Sequence, residues 1–149
     1  MSDWKKTQVW QRLSTIKNDE ADKVVSFLLG EFCMDRIEKI LLGACKQSLK
    51  LTIPKLNRMI KFEDFVSSGS GEARKFVAYC DEKSIHFKNA YHGNFDALIM
   101  IGPEGDFTKD EIMLAERNEF ETVSLGKSRL RLETAGVFAA SIFNLANES

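Results

Sequence analysis

The residues best placed to do chemistry stand at the end of an apolar run. Leu98, Ile99, Met100 and Ile101 give way to Gly102-Pro103-Glu104-Gly105-Asp106, and Thr108 then opens a helical pattern. Gly102 and Gly105 permit close approach of a ligand to the backbone, or positive φ, and Pro103 stiffens the turn between them. Such a loop offers amides and carbonyls to a planar base or a ribose; as a plain strand-to-helix connection it would need no ligand. It is neither a GxGxxG fingerprint nor a Walker loop, so a phosphate cradle is not indicated. A second stretch, LGKSRLRLET over residues 125–134, sets two arginines just before a helix. The guanidinium groups of Arg129 and Arg131 present planar forks of donors suited to phosphate or to an electron-rich base edge. As solvated loop charges, or as partners of Glu104 and Glu133, they would have no such role.

Both stretches follow predicted strands, at 97–101 and 121–125, and a third apolar strand is predicted at 76–80. Thr108 with Glu111 three residues on has the pattern of a capping box, and the following helix carries Ile112, Leu114, Ala115 and Phe120 toward a core. A last apolar helix is expected over 133–145, carrying Ala135, Phe138, Ala139, Ile142 and Phe143. Upstream, Ile37, Ile40, Leu41, Ala44, Cys45, Ser48 and Leu49 recur at helical spacing, so an amphipathic helix runs from Asp35 and ends before Pro54. Lys55, Arg58 and Lys61 then add positive charge near its C-terminal end. Strands alternating with helices imply an α/β fold, a mostly parallel sheet with helices on both faces. In such sheets ligands sit beyond the carboxyl ends of the strands, so the turns at 102–106 and 126–131 are expected to face one pocket.

At 149 residues, 44% hydrophobic, the chain has the size of one compact domain. A formal net charge of -1 argues against a globally basic nucleic-acid binder, leaving any such partner to be recognised locally. Three cysteines, Cys33, Cys45 and Cys80, match neither a CxxC pair nor a zinc cluster, and His86 and His92 lack partners at ligand spacing, so no metal is expected. No signal-peptide core and no membrane-length apolar run is present, which gives a cytoplasmic expectation.

Together, IGPEGDF, a capped helix and VSLGKSRLRLETAG resemble the small-subunit (16S) ribosomal RNA uridine-N3 methyltransferases of the SPOUT, or α/β-knot, superfamily. Ala44-Cys45-Lys46-Gln47-Ser48 with Pro54 downstream resembles that family's central helix. Residues 35–149 then form the SPOUT-like methyltransferase domain, and residues 1–34 are a poorly matched N-terminal segment. The resemblance implies a C-terminal trefoil knot, an exception to the rule that chains are unknotted. It implies S-adenosylmethionine as cofactor, clasped by Met100, Ile101, Gly102, Pro103 and Gly105 on one side and by Ser124, Leu125, Gly126 and Leu130 on the other. It further implies ribosomal RNA or the small ribosomal subunit as partner, and a homodimer formed through the last helix, Ile142 included.

The reaction implied is transfer of an activated methyl group to N3 of a uridine, which asks for alignment and electrostatics rather than covalent help. By the same resemblance, Arg131 matches the arginine of an LRTET-like motif and would bind uracil oxygens or a neighbouring phosphate. Glu104 would accept a proton or shape the turn, and Gln47, Ser48 and Arg129 would face the substrate. The sequence departs from the family pattern where Asp106 replaces a usual glycine, where Leu132 replaces threonine, and where Arg129 stands one residue later than the family's second arginine. The family's RNA-gripping N-terminal β-barrel would precede the residues present here. The alternative is a non-catalytic knotted module that dimerises or binds S-adenosylmethionine without turnover; an ordinary nucleotide-binding α/β domain would explain the turns but not both motifs.

Overall fold

The computed structural model describes residues 9–13, 34–49, 51, 53–68, 71–81, 84–103 and 105–148. The elements in chain order are β1 (Val9–Leu13), α1 (Met34–Gln47), β2 (Leu56–Lys61), α2 (Phe62–Ser67), β3 (Arg74–Ala78), β4 (Ile85–His86), α3 (Phe87–Ala90), β5 (Ala97–Ile101), α4 (Lys109–Arg117), β6 (Phe120–Ser124) and α5 (Leu132–Asn147).

The expected α/β architecture is present. Four strands form a wholly parallel sheet in the order β4-β6-β3-β5, and β1 pairs antiparallel with β2 in a separate two-stranded sheet. Parallel neighbours need crossovers, and the crossovers cover both faces. Successive side chains of a strand point to opposite faces, so β3 sends Val77 into one core and Phe76 into the other, while β5 divides Leu98 and Met100 from Ile99 and Ile101. The first core is closed by Phe62, Phe65 and Val66 of α2 and by Ile112 and Ala115 of α4. The second is closed by Phe87 and Ala90 of α3 and by Ala135, Ala139 and Phe143 of α5. Each large side chain fully buried in this way stabilises the fold by about 1.5–3 kcal/mol.

Local chemistry departs from the sequence-based expectations at several points. The strand expected at 76–80 is β3, set two residues earlier, because Arg74 and Lys75 find partners that let polar residues enter a strand: Arg74 pairs with Glu121 and lies over the rings of Phe76 and Phe95, and the Lys75 ammonium donates to the Asn118 carbonyl at 3.1 Å. Phe120 belongs to β6 rather than to the preceding helix, since α4 stops at Arg117 with Glu119 in a left-handed conformation, φ 68°. Arg58 and Lys61 lie on β2, with Lys55 just before it, and not on a continuation of α1. Cys33 lies outside the described residues.

The end of α5 is locked to the turn after α3. Asn147 donates from Nδ2 to the Tyr91 hydroxyl and to the Phe143 carbonyl, both at 2.7 Å, and its Oδ1 accepts from the Asn94 amide at 3.3 Å. Tyr91 stacks on Phe143 with ring centroids 4.6 Å apart and donates its own hydroxyl proton to the Phe95 carbonyl. Burial pushes the Tyr91 phenol above its ordinary 10.0, with the Asn147 hydrogen bond working the other way and the Asp96 charge adding to the rise. Gly93, φ +82°, lies so close that a Cβ there would meet the Ala146 carbonyl oxygen at 2.3 Å. Gly93→Ala is therefore expected to cost about 2–5 kcal/mol, from a left-handed alanine plus overpacking against backbone. Chemical denaturation checks this, and a loss under about 0.5 kcal/mol, the ordinary range for a surface change, would contradict the close approach.

Candidate functional site

The turn after β5 is held from three directions. The Asp106 amide donates to the Pro103 carbonyl at 2.8 Å, which closes the turn. Asp106 itself adopts φ 62°, a left-handed conformation that favours glycine and that aspartate tolerates better than most side chains. Its Oδ1 accepts from the Phe107 amide at 2.9 Å, and Phe107 is buried against α2. Gly102 is required by the same packing, because a Cβ there would come within 3.1 Å of the Phe107 ring and 3.2 Å of Asp106 Oδ1. Beyond the turn, the predicted capping box is formed: Thr108 Oγ1 accepts from the Glu111 amide at 3.2 Å, and Glu111 Oε2 accepts from the Thr108 amide at 2.8 Å.

The loop after β6 is braced differently. Ser124 Oγ donates to the Gly126 carbonyl at 3.0 Å and accepts from the Gly126 amide at 3.1 Å, so this hydroxyl shapes the loop from within. Gly126 sits at φ +141°, with nothing within 4 Å of where a Cβ would stand. Leu130 and Leu132 pack onto the second core, and Arg131 between them is the N-cap residue of α5, its carbonyl accepting from the Ala135 amide at 2.8 Å.

Between the two loops lies a solvent-open cleft of about 550 Å³. Its walls are Ile101, Gly102, Pro103 and Asp106 after β5, Leu125, Gly126 and residues 128–130 after β6, and Ala135 of α5. Ala78, Tyr79 and Cys80 at the carboxyl end of β3 complete it. The cleft thus lies beyond the carboxyl ends of three adjacent parallel strands, where ligands bind in open α/β sheets. Its apolar walls and the side-chain-free backbone at Gly102 and Gly126 suit a flat heteroaromatic ring with a polar tail, held by apolar contact and main-chain groups.

Of the residues singled out by sequence, Ile101, Gly102, Pro103, Leu125, Gly126, Arg129 and Leu130 share this cleft. Met100 is fully buried in the first core behind it, Gly105 is exposed at the turn, and Ser124 braces the loop. Arg131 is exposed beside it and, among the described residues, its guanidinium has no partner. Gln47 and Ser48 lie at the end of α1, where the Ser48 hydroxyl donates to the Ala44 and Cys45 carbonyls, and neither lines the cleft. Glu104 lies outside the described residues. Tyr79, Cys80, Ser128 and Ala135 were not singled out; the rule that ligands sit past strand ends pointed to Tyr79 and Cys80 once β3 was recognised. Among the described residues no group of three or more His, Cys, Asp or Glu is arranged to hold a metal ion.

A family model described as an RNA methyltransferase domain matches residues 10–144. The chain belongs to the RNA methyltransferase domain family. A ribosomal RNA small subunit methyltransferase E of Mesomycoplasma hyopneumoniae is 34% identical over 105 residues, which is 70% of this chain and 45% of that protein. Among solved structures, a probable rRNA-methyltransferase from Porphyromonas gingivalis superposes with a TM-score of 0.73 at 34% identity, over 88% of this chain and 58% of that one. A ribosomal RNA small subunit methyltransferase E from Neisseria gonorrhoeae, bound to S-adenosyl methionine, superposes with a TM-score of 0.63 at 28% identity, over 73% of this chain and 45% of that one. The chain therefore spans about half the length of the relatives it matches.

Because the capping box anchors the turn that walls the cleft, Thr108→Ala is expected to lower stability by about 1 kcal/mol. Hydrogen exchange should rise at residues 105–111 and not in β6. Unchanged stability and unchanged exchange would show that the turn is held without the cap.

Proposed function

We propose that this chain is the catalytic portion of an S-adenosylmethionine-dependent methyltransferase acting on N3 of a uridine in small-subunit ribosomal RNA. The observation that carries the reading is the cleft beyond the carboxyl ends of β3, β5 and β6, walled by both motif loops at once. The family membership and the names of the similar proteins support it.

Gly102, Pro103, Leu125, Gly126 and Leu130 would hold the adenosine part of the cofactor through main-chain groups and apolar contact. When bound, S-adenosylmethionine supplies an electrophilic methyl group. The chain's own task is then to align the uracil and to favour loss of its N3 proton. Arg131, at the start of α5 and unpaired among the described residues, is the group we assign to the uracil oxygens or an adjoining phosphate, where negative charge develops as the proton leaves. Glu104 would act as the proton acceptor or the shaper of the turn. Gln47 and Ser48, at the end of α1, would meet the RNA on its way to the cleft, whereas Arg129, which lines the cleft itself, would face its ligand.

The same reading includes the trefoil knot, a cytoplasmic location and a homodimer through α5. No described helix is long and apolar enough to cross a membrane. On α5, Val137 is 68%, Phe138 41% and Leu145 68% exposed on one side, whereas Ile142 packs inward against the second core. The outward residues are therefore the dimer contacts we propose, in place of Ile142. Phe138→Asp should halve the light-scattering mass and leave the fold intact; an unchanged mass would exclude this face.

Titration of the chain with S-adenosylmethionine by calorimetry tests the reading directly, saturable binding being expected. Arg131→Ala should then leave that affinity within about twofold and lower the rate of methyl transfer to small ribosomal subunits by about 100-fold or more, the scale of losing one charge-stabilising donor. A folded chain that binds no cofactor would overturn the proposal, and equal loss of binding and rate would move Arg131 into the cofactor cleft.

A further inference from the structure

Among the described residues that line the cleft, two carry formal charge, and the charges are opposite: Asp106 on the turn after β5 and Arg129 on the loop after β6. They make no ion pair with each other, and neither is paired with any other described residue. The Asp106 carboxylate is positioned by its own backbone. Oδ1 accepts from the Phe107 amide at 2.9 Å and lies over Gly102, and the second oxygen has no hydrogen-bond partner among the described residues. The residue also holds φ 62°, where a glycine would stand without steric cost.

We infer that Asp106 and Arg129 form a two-point electrostatic clamp for the zwitterionic amino-acid end of the ligand, the carboxylate receiving its ammonium and the guanidinium its carboxylate. This rests on the proposed occupancy of the cleft by S-adenosylmethionine. A cavity that carries one uncompensated charge of each sign is complementary to a ligand end that does the same, and each charge-assisted hydrogen bond formed there is shorter and stronger than a neutral one. A ligand with a single charge would leave one wall unmatched. The arrangement therefore discriminates by the amino-acid end rather than by the nucleoside.

Three probes separate the contributions. S-adenosylhomocysteine and methylthioadenosine are both neutral at sulfur and share the nucleoside, but only the first carries the amino-acid end; S-adenosylmethionine adds the sulfonium charge. By calorimetry on the full chain, S-adenosylhomocysteine should bind at least about 10-fold more tightly than methylthioadenosine, the effect of one charge-assisted bond. Asp106→Asn keeps the shape, the acceptor for the Phe107 amide and tolerance of positive φ. It and Arg129→Gln should each reduce this preference about 10-fold or abolish it, with methylthioadenosine affinity and thermal stability unchanged. Equal weakening of both probes would mean that the two residues shape the loops only. Tighter binding in either variant would mean that the side chains repel the ligand end, and no preference in the unaltered chain would overturn the clamp while leaving cofactor binding in place. Failure to bind any of the three would overturn the occupancy reading together with the clamp.

Discussion

The close contact between the last turn of α5 and the bend after α3 governs the rest of the molecule. Gly93 brings backbone against backbone, the Asn147 amide bridges to the Tyr91 hydroxyl and the Asn94 amide, and Tyr91 stacks on Phe143. With its far end fixed, α5 lies along the second core through Ala135, Ala139 and Phe143. Its first turn, and so the loop from Gly126 to Arg131, has little freedom of placement. One wall of the cleft is thus set by a contact at the opposite end of the helix.

The other wall is set locally. Asp106, Phe107, Thr108 and Glu111 each satisfy a backbone group of the turn or bury a ring beneath it. The two loops are therefore held by independent means, one by short-range hydrogen bonds and one by a long-range helix contact. A ligand that bridges them joins two parts of the chain that are separately rigid, so little ordering is required on binding.

Legibility in the sequence followed the strength of local signals. The run from Ala97 to Ile101 emerged with its bounds intact because a strand buried on both faces reads as an unbroken apolar stretch. The capping box was legible for the same reason: Thr108 and Glu111 interact within one turn. The pair β1 and β2, the short α2, and the two-residue β4 with α3 left no usable period, since their existence depends on partners far along the chain. At the site, the glycines and the proline announced both loops, whereas Tyr79, Cys80 and Ala135 reach the cleft only through tertiary placement. Ser124 and Ser48 show the converse, polar side chains near expected binding segments whose hydroxyls are engaged by their own backbone.

Strand order has a kinetic consequence. β3 is flanked by β5 and β6, both later in the chain, and every pairing in the four-stranded sheet is parallel. No hairpin can start this sheet, and one edge of β3 stays unpaired until β6 has been made. The interval before β6 emerges is therefore the period when nascent chains are most exposed to aggregation and chaperone capture.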